Sequence, residues 1–204
     1  GLGEHCPGHL LHLGAGDLEL LPRAHQRDHD LRHRWVARLL RRGARRQAPD
    51  AGPEETHRTF VANVRHAAAE LGKAGIRLLI EPVNTRDIPG FWLNRSAQAE
   101  AVLAEVGSDN LFIQYDFYHT QIMEGDLATT FKRLKDQIAH VQIADNPGRH
   151  EPGSGEINYP FLFAHLDRIG YAGWVGCEYK PAQGTEAGLG WLEKLAGKKA
   201  LAPA

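Results

Sequence analysis

From residue 53 onward, apolar positions follow two alternating rhythms. Phe60, Val61, Val64, Ala67, Ala68 and Leu71 recur at three- and four-residue spacing, which predicts a helix with one buried face. Pro53, Glu54 and Glu55 suit its start, with proline in the first turn and acids at the positive end of the dipole. Ile76–Ile80 is then a short apolar run rich in branched residues, interrupted only by Arg77, and predicts a buried strand that stops at Glu81. The alternation repeats. Ser96–Val106 predicts a helix with Ala99, Val102, Leu103 and Val106 inward, and Leu111–Tyr115 a strand ending at Asp116. A helix is expected around Asp126–Ile138 and a strand over His140–Ala144. Asn158 is placed to cap a helix that carries Leu162, Phe163, Leu166 and Ile169 and stops at Gly170. Trp174–Tyr179 predicts a fourth strand, and Thr185–Lys198 a closing helix.

Strands alternating with helices imply a parallel sheet with right-handed crossovers. At 204 residues the chain is sized for one domain, yet short of the roughly 250 typical of an eight-stranded α/β barrel. Residues 1–50 differ from the rest. They hold nine Arg and no Lys, six of the twelve His, and no Ser, Thr, Asn, Ile, Phe, Tyr or Met. Three readings fit this atypical Arg/His-rich segment. Leu31–Arg46 is a basic helix for an acidic partner, or an ordinary solvated helix, or the segment is GC-rich sequence read out of frame. We find no credible strand there and expect no regular β/α units, which would need parallel strands. The domain division is therefore 1–50 and 51–204.

Charge and composition narrow the function classes. A net charge of −1 gives no general reason to expect nucleic acid. Two cysteines, Cys6 and Cys177, make no disulfide framework and fit a cytoplasmic setting. No apolar run reaches the ~18 residues of a membrane span.

In parallel α/β folds the working residues sit at the carboxyl ends of strands. Glu81, Asp116, Gln142 and Glu178 each lie at or beside such an end. A carboxylate in an apolar run is costly unless a cation or partner compensates it. Three carboxylates and an amide oxygen suit a hard divalent ion, Mg²⁺ or Mn²⁺. Taken singly, each is also consistent with a strand-end residue facing water or an arginine.

Several runs carry a specific resemblance: Glu81-Pro82-Val83-Asn84, Arg86 to Gly90, Tyr115 to His119, Gln121 to Asp126, His140 to Asp145, Pro147 to Gly153, Gly155 to Tyr159, and Gly176 to Tyr179. In order and spacing, from about Pro53 to Leu192, the chain resembles the hydroxypyruvate isomerase family of the xylose-isomerase-like barrels. The resemblance implies a (β/α)8 TIM-barrel fold of which this chain holds the C-terminal half, about four parallel strands. It also implies interconversion of hydroxypyruvate and 2-hydroxy-3-oxopropanoate (tartronate semialdehyde) through an enediolate. Glu81, Asp116, Gln142 and Glu178 would be the metal ligands, Glu81 and Glu178 the acid/base pair, and His119 and Arg149 the holders of a small hydroxy-oxo acid. Asp87 and Glu156 are candidates for substrate contact or support. A glutamine at 142, where related isomerases and epimerases often have histidine, points to the hydroxypyruvate branch.

Other readings stay open: an isomerase or epimerase of a related sugar or four-carbon oxo acid, an inactive fragment, or a binding module working through its Arg-rich start. A DNA-repair endonuclease of the same superfamily is disfavoured, because those sites use more histidines. Half a barrel would leave both sheet edges unpaired. We therefore expect weak activity from the chain alone, unless two copies pair their edges as a homo-oligomer.

Overall fold

The computed structural model describes residues 10–14, 17–20 and 52–196. They fall into two compact units. One comprises the described residues up to Ala139 that follow the first two strands; the other comprises those two strands with the residues from His140 onward.

In the first unit, helix α1 (Pro53–Lys73) leads to strand β3 (Leu78–Ile80), then helix α2 (Ser96–Val106), strand β4 (Leu111–Asp116) and helices α3 (Phe117–Met123) and α4 (Leu127–Leu134). β3 and β4 run parallel, with Leu78 opposite Leu111 and Ile80 opposite Ile113. Leu78, Leu79 and Ile80 are all buried, as a strand covered on both faces requires. Phe60, Val61, Val64 and Ala68 form the inward face of α1. Asn110 fastens that helix to the sheet by donating to the carbonyls of Ala68 and Ile76. Tyr115, Phe117 and Phe131 make an edge-to-face cluster, with Tyr115 packed at right angles to Phe131. The Tyr115 hydroxyl donates to the carbonyl of Leu127.

Helix α2 is capped from a distance. The Glu124 carboxylate accepts from the Ser96 backbone N–H and hydroxyl, both at 2.7 Å. This satisfies one of the first-turn donors that a helix leaves open. Ala99, Val102 and Val106 are buried as expected, whereas Leu103 is only half-buried.

In the second unit, strand β5 (Ile138–Ile143) pairs in parallel with β6 (Trp174–Cys177) across helix α5 (Tyr159–Arg168). The Asn158 side chain caps α5 by accepting from the Phe161 N–H. The Tyr159 hydroxyl donates to the carbonyl of Ala144 at 2.7 Å. Helix α6 (Gly190–Ala196) contributes buried Trp191 and Leu192.

The expectation of no strand in residues 1–50 is overturned. Strands β1 (Leu10–Gly14) and β2 (Asp17–Leu20) form an antiparallel hairpin, and β1 lies antiparallel on β6. β6 therefore has a neighbour on each side, β5 and β1, and is not the open edge that half a barrel would leave. Leucine alternation in LLHLG and DLEL suffices, because strand propensity is weak beside the gain of covering an edge. The Leu31–Arg46 stretch, for which a helix was one of three readings, lies outside the described residues. Helix α3, directly after Asp116, was not foreseen.

Candidate active site

Each unit places polar groups at the carboxyl ends of its strands. In the first unit, β3 delivers Glu81. Pro82 follows it, holding Glu81 extended and ending the ladder because proline has no N–H. Glu81 is 6 % exposed and Asp116 1 %. Asp116 ends β4 and caps α3, one oxygen accepting from the Tyr118 N–H at 2.8 Å. One helical turn on, His119 returns to the same face. Its Nε2 lies 3.7 Å from Glu81 Oε1 and 3.6 Å from Asp116 Oδ2, too long for hydrogen bonds. These three side chains each offer an atom within 4.8 Å of the others.

Two buried carboxylates at such separation repel by about 3 kcal/mol at an effective dielectric of about 20. A divalent cation offsets both that repulsion and their burial. The oxygen-rich donor set suits Mg²⁺ or Mn²⁺.

On the other side of His119, its Nδ1 accepts from the Asn84 backbone N–H at 3.3 Å and lies 2.6 Å from the Asn84 side-chain nitrogen. Asn84 in turn engages Asp87: its Oδ1 accepts from the Asp87 N–H at 2.7 Å and its Nδ2 donates to Asp87 Oδ2 at 3.2 Å. The Tyr118 hydroxyl also donates to Asp87 Oδ2, at 2.9 Å.

In the second unit, Gln142 and Glu178 come from neighbouring strands. Gln142 lies opposite Gly176, and the Glu178 N–H donates to the carbonyl of Ile143 at 3.1 Å. The Glu178 carboxylate pairs with Arg149 Nη2 at 2.5 Å, and Arg149 Nε donates to the Glu178 carbonyl. Arg149 holds a left-handed backbone conformation, φ 59°, which a non-glycine residue adopts only when its surroundings hold it there. Those surroundings are a loop built on Asp145. This fully buried carboxylate accepts from the backbone N–H groups of Asn146, Gly153 and Ile157 at 2.9, 2.7 and 3.0 Å. Gly155 lets the loop close: a Cβ there would sit 2.2 Å from the Asn146 carbonyl oxygen. The carbonyl of Arg149 accepts from the Lys180 N–H at 2.7 Å.

Residues 17–195 match the family model described as a xylose isomerase-like TIM barrel. The chain belongs to that family. Among characterised xylose isomerase-like proteins it is 50% identical to the 2-oxo-tetronate isomerase of Cupriavidus necator over 149 residues, 73% of this chain and 57% of the relative. It is 55% identical to the hydroxypyruvate isomerase of Escherichia coli over 140 residues, 69% of this chain and 54% of that protein. A crystal structure titled AP endonuclease, family 2, from Brucella melitensis superposes with a TM-score of 0.69 at 43% identity, covering 72% of this chain and 57% of that one. The chain thus spans a little over half the length of these relatives.

Within the xylose isomerase-like frame, three sequence candidates (Glu81, Asp116 and His119) cluster in the first unit. Three more (Gln142, Arg149 and Glu178) sit on β5, its following loop and the end of β6 in the second. The remaining two, Asp87 and Glu156, each make hydrogen bonds within their own unit. Asp87 anchors Asn84, and Glu156 accepts from the Asn146 side chain and steadies the Asp145 loop. Asn84 and Asp145 were missed as positioning residues. Asp145 directly follows the apolar run of β5, the signal that singled out its neighbours, whereas Asn84 lies three residues past Glu81 and carries no such signal.

Proposed function

We propose that this chain carries the ligand and proton-transfer groups of a divalent-metal-dependent isomerase. It would interconvert hydroxypyruvate and 2-hydroxy-3-oxopropanoate through an enediolate. The observation that carries this reading is the buried pair Glu81 and Asp116 facing His119 at strand and helix ends. By the family resemblance, Glu81, Asp116, Gln142 and Glu178 would be the ligands for Mg²⁺ or Mn²⁺. When bound, the ion polarises the substrate carbonyl and stabilises negative charge on the adjacent oxygens.

The protein's own groups do the rest. One glutamate of the pair Glu81 and Glu178 removes a proton from the hydroxymethyl carbon of hydroxypyruvate, leaving an enediolate. The other delivers a proton to the former carbonyl carbon, and the hydroxyl proton of the terminal carbon passes to the former carbonyl oxygen, which gives the aldehyde. Arg149 suits the substrate carboxylate through its planar fork, and its place beside Glu178 ties substrate position to the proton-transfer group. His119 addresses a substrate oxygen.

The relative named 2-oxo-tetronate isomerase favours a second reading, the same chemistry on a four-carbon oxo acid. The test is deuterium incorporation from D₂O into hydroxypyruvate and into 2-oxo-tetronate, followed by NMR with Mg²⁺, Mn²⁺ or chelator. We expect metal-dependent exchange, faster for hydroxypyruvate. Faster exchange of the tetronate selects the second reading. No exchange of either, with metal shown to be bound, refutes both.

A further inference from the structure

His119 has two ring nitrogens with different surroundings. Nε2 faces Glu81 and Asp116, and Nδ1 faces Asn84. A backbone N–H only donates, so the Asn84 N–H at 3.3 Å requires Nδ1 to accept. The Asn84 amide adds a second donor. Its orientation is not arbitrary, because its oxygen takes the Asp87 N–H at 2.7 Å and its NH₂ is thereby turned toward Nδ1 and the Asp87 carboxylate. Asp87 is itself steadied by the Tyr118 hydroxyl. With two donors aimed at Nδ1, a neutral ring carries its hydrogen on Nε2.

We infer that Asn84 is a positioning residue that locks His119 in the Nε2–H tautomer, making it a hydrogen-bond donor to a substrate oxygen and not a metal ligand. An Nε2 that carries hydrogen has no lone pair to offer a cation, although its place beside two carboxylates would otherwise make it a ligand candidate. The same Nε2–H is suited to a substrate oxygen that gains negative charge as the neighbouring carbon loses its proton. The donor role rests on the functional reading above; the tautomer does not.

The test uses the full 204-residue chain, uniformly ¹⁵N-labelled, with ring nitrogens read by long-range ¹H–¹⁵N correlation and His119 assigned by its disappearance in His119→Gln. We expect a protonated Nε2 and an unprotonated Nδ1. A protonated Nδ1 in the wild-type chain overturns the inference, whatever the variants do. Asn84→Asp keeps the backbone N–H and an acceptor for the Asp87 N–H but replaces the NH₂ with an oxygen, which competes with the backbone donor for Nδ1, so the share of rings protonated on Nδ1 should rise. Unchanged ring signals in that variant would remove Asn84 from the positioning role. Mn²⁺ affinity, measured by titration, should fall in His119→Gln by no more than the roughly 10–100-fold that losing a group beyond the ligands themselves costs; a larger loss overturns the non-ligand assignment. The expected tautomer in a chain that exchanges no substrate proton supports this inference and counts against the functional reading alone.

Discussion

Replacing Asp145 by asparagine should loosen the loop that carries Arg149. The carboxylate accepts three backbone N–H groups: Asn146 and Ile157 on Oδ1, and Gly153 on Oδ2. An amide supplies one oxygen, and the least costly orientation leaves that oxygen to Asn146 and Ile157. The NH₂ then meets the Gly153 N–H, donor against donor, across 2.7 Å. A hydrogen bond to a charged group contributes about 1.5–3 kcal/mol. Gly153 is exposed, so water can take its N–H once the loop yields, and the lower part of that range applies. The remaining two bonds weaken from charged to neutral. The net expectation is about 2 kcal/mol of destabilisation. Asp145→Ala should cost more, since it also orphans the N–H of buried Ile157. Urea unfolding followed by circular dichroism reads both, and limited proteolysis within residues 146–157 reads the loop itself. An asparagine variant within about 0.5 kcal/mol of wild type, or an alanine variant milder than the asparagine one, would refute the reasoning. With Arg149 displaced, KM for the oxo acid should rise more than kcat falls.

In a catalytically competent context, Glu81→Gln and Glu178→Gln should each lower isomerisation by about 10²–10⁴-fold. Metal content is measured alongside, and near-normal turnover with metal bound would remove that glutamate from proton transfer. Burial pushes the His140 imidazole down to about 4 from 6.5. The unfolded chain therefore takes up the proton first. The stability that His140 contributes is complete above about pH 6.5 and is lost as pH falls toward 4, on the order of 3 kcal/mol. Urea midpoints at pH 7 and 4.5, in chelator, should diverge less in His140→Asn; an equal divergence would mean that other groups set the acid sensitivity. Burial also pushes the Cys177 thiol up to about 12. Cys177 is half-buried, so peptide-resolved alkylation at pH 8 should label it slowly in the folded chain and quickly in urea, and equal rates in the two states would contradict the raised thiol pKa.

The four strands after residue 75 and all but one of the helices between them were legible in the sequence. Each is a run of apolar residues whose period, two or 3.6 or continuous, follows from which faces must be buried. The acids and the amide stood out for the same reason, as polar side chains where an apolar run ends. Helix α3 was not legible, because seven residues hold too few turns for a period, and its start depends on the Asp116 side chain turning back to cap it. The hairpin of β1 and β2 was hidden for a different reason: a strand that covers an edge is stabilised by the backbone groups of β6, which its own residues do not announce. The sequence by itself determined the family, the alternation of strand and helix, and the residue types at the strand ends. Only the tertiary structure decided that Asn84, braced by Asp87, faces Nδ1 of His119, and that one buried aspartate gathers three N–H groups to hold Arg149 in place. Local pattern records how each element meets the core, whereas hydrogen-bond partners 35 residues apart are chosen by the packing that brings them together.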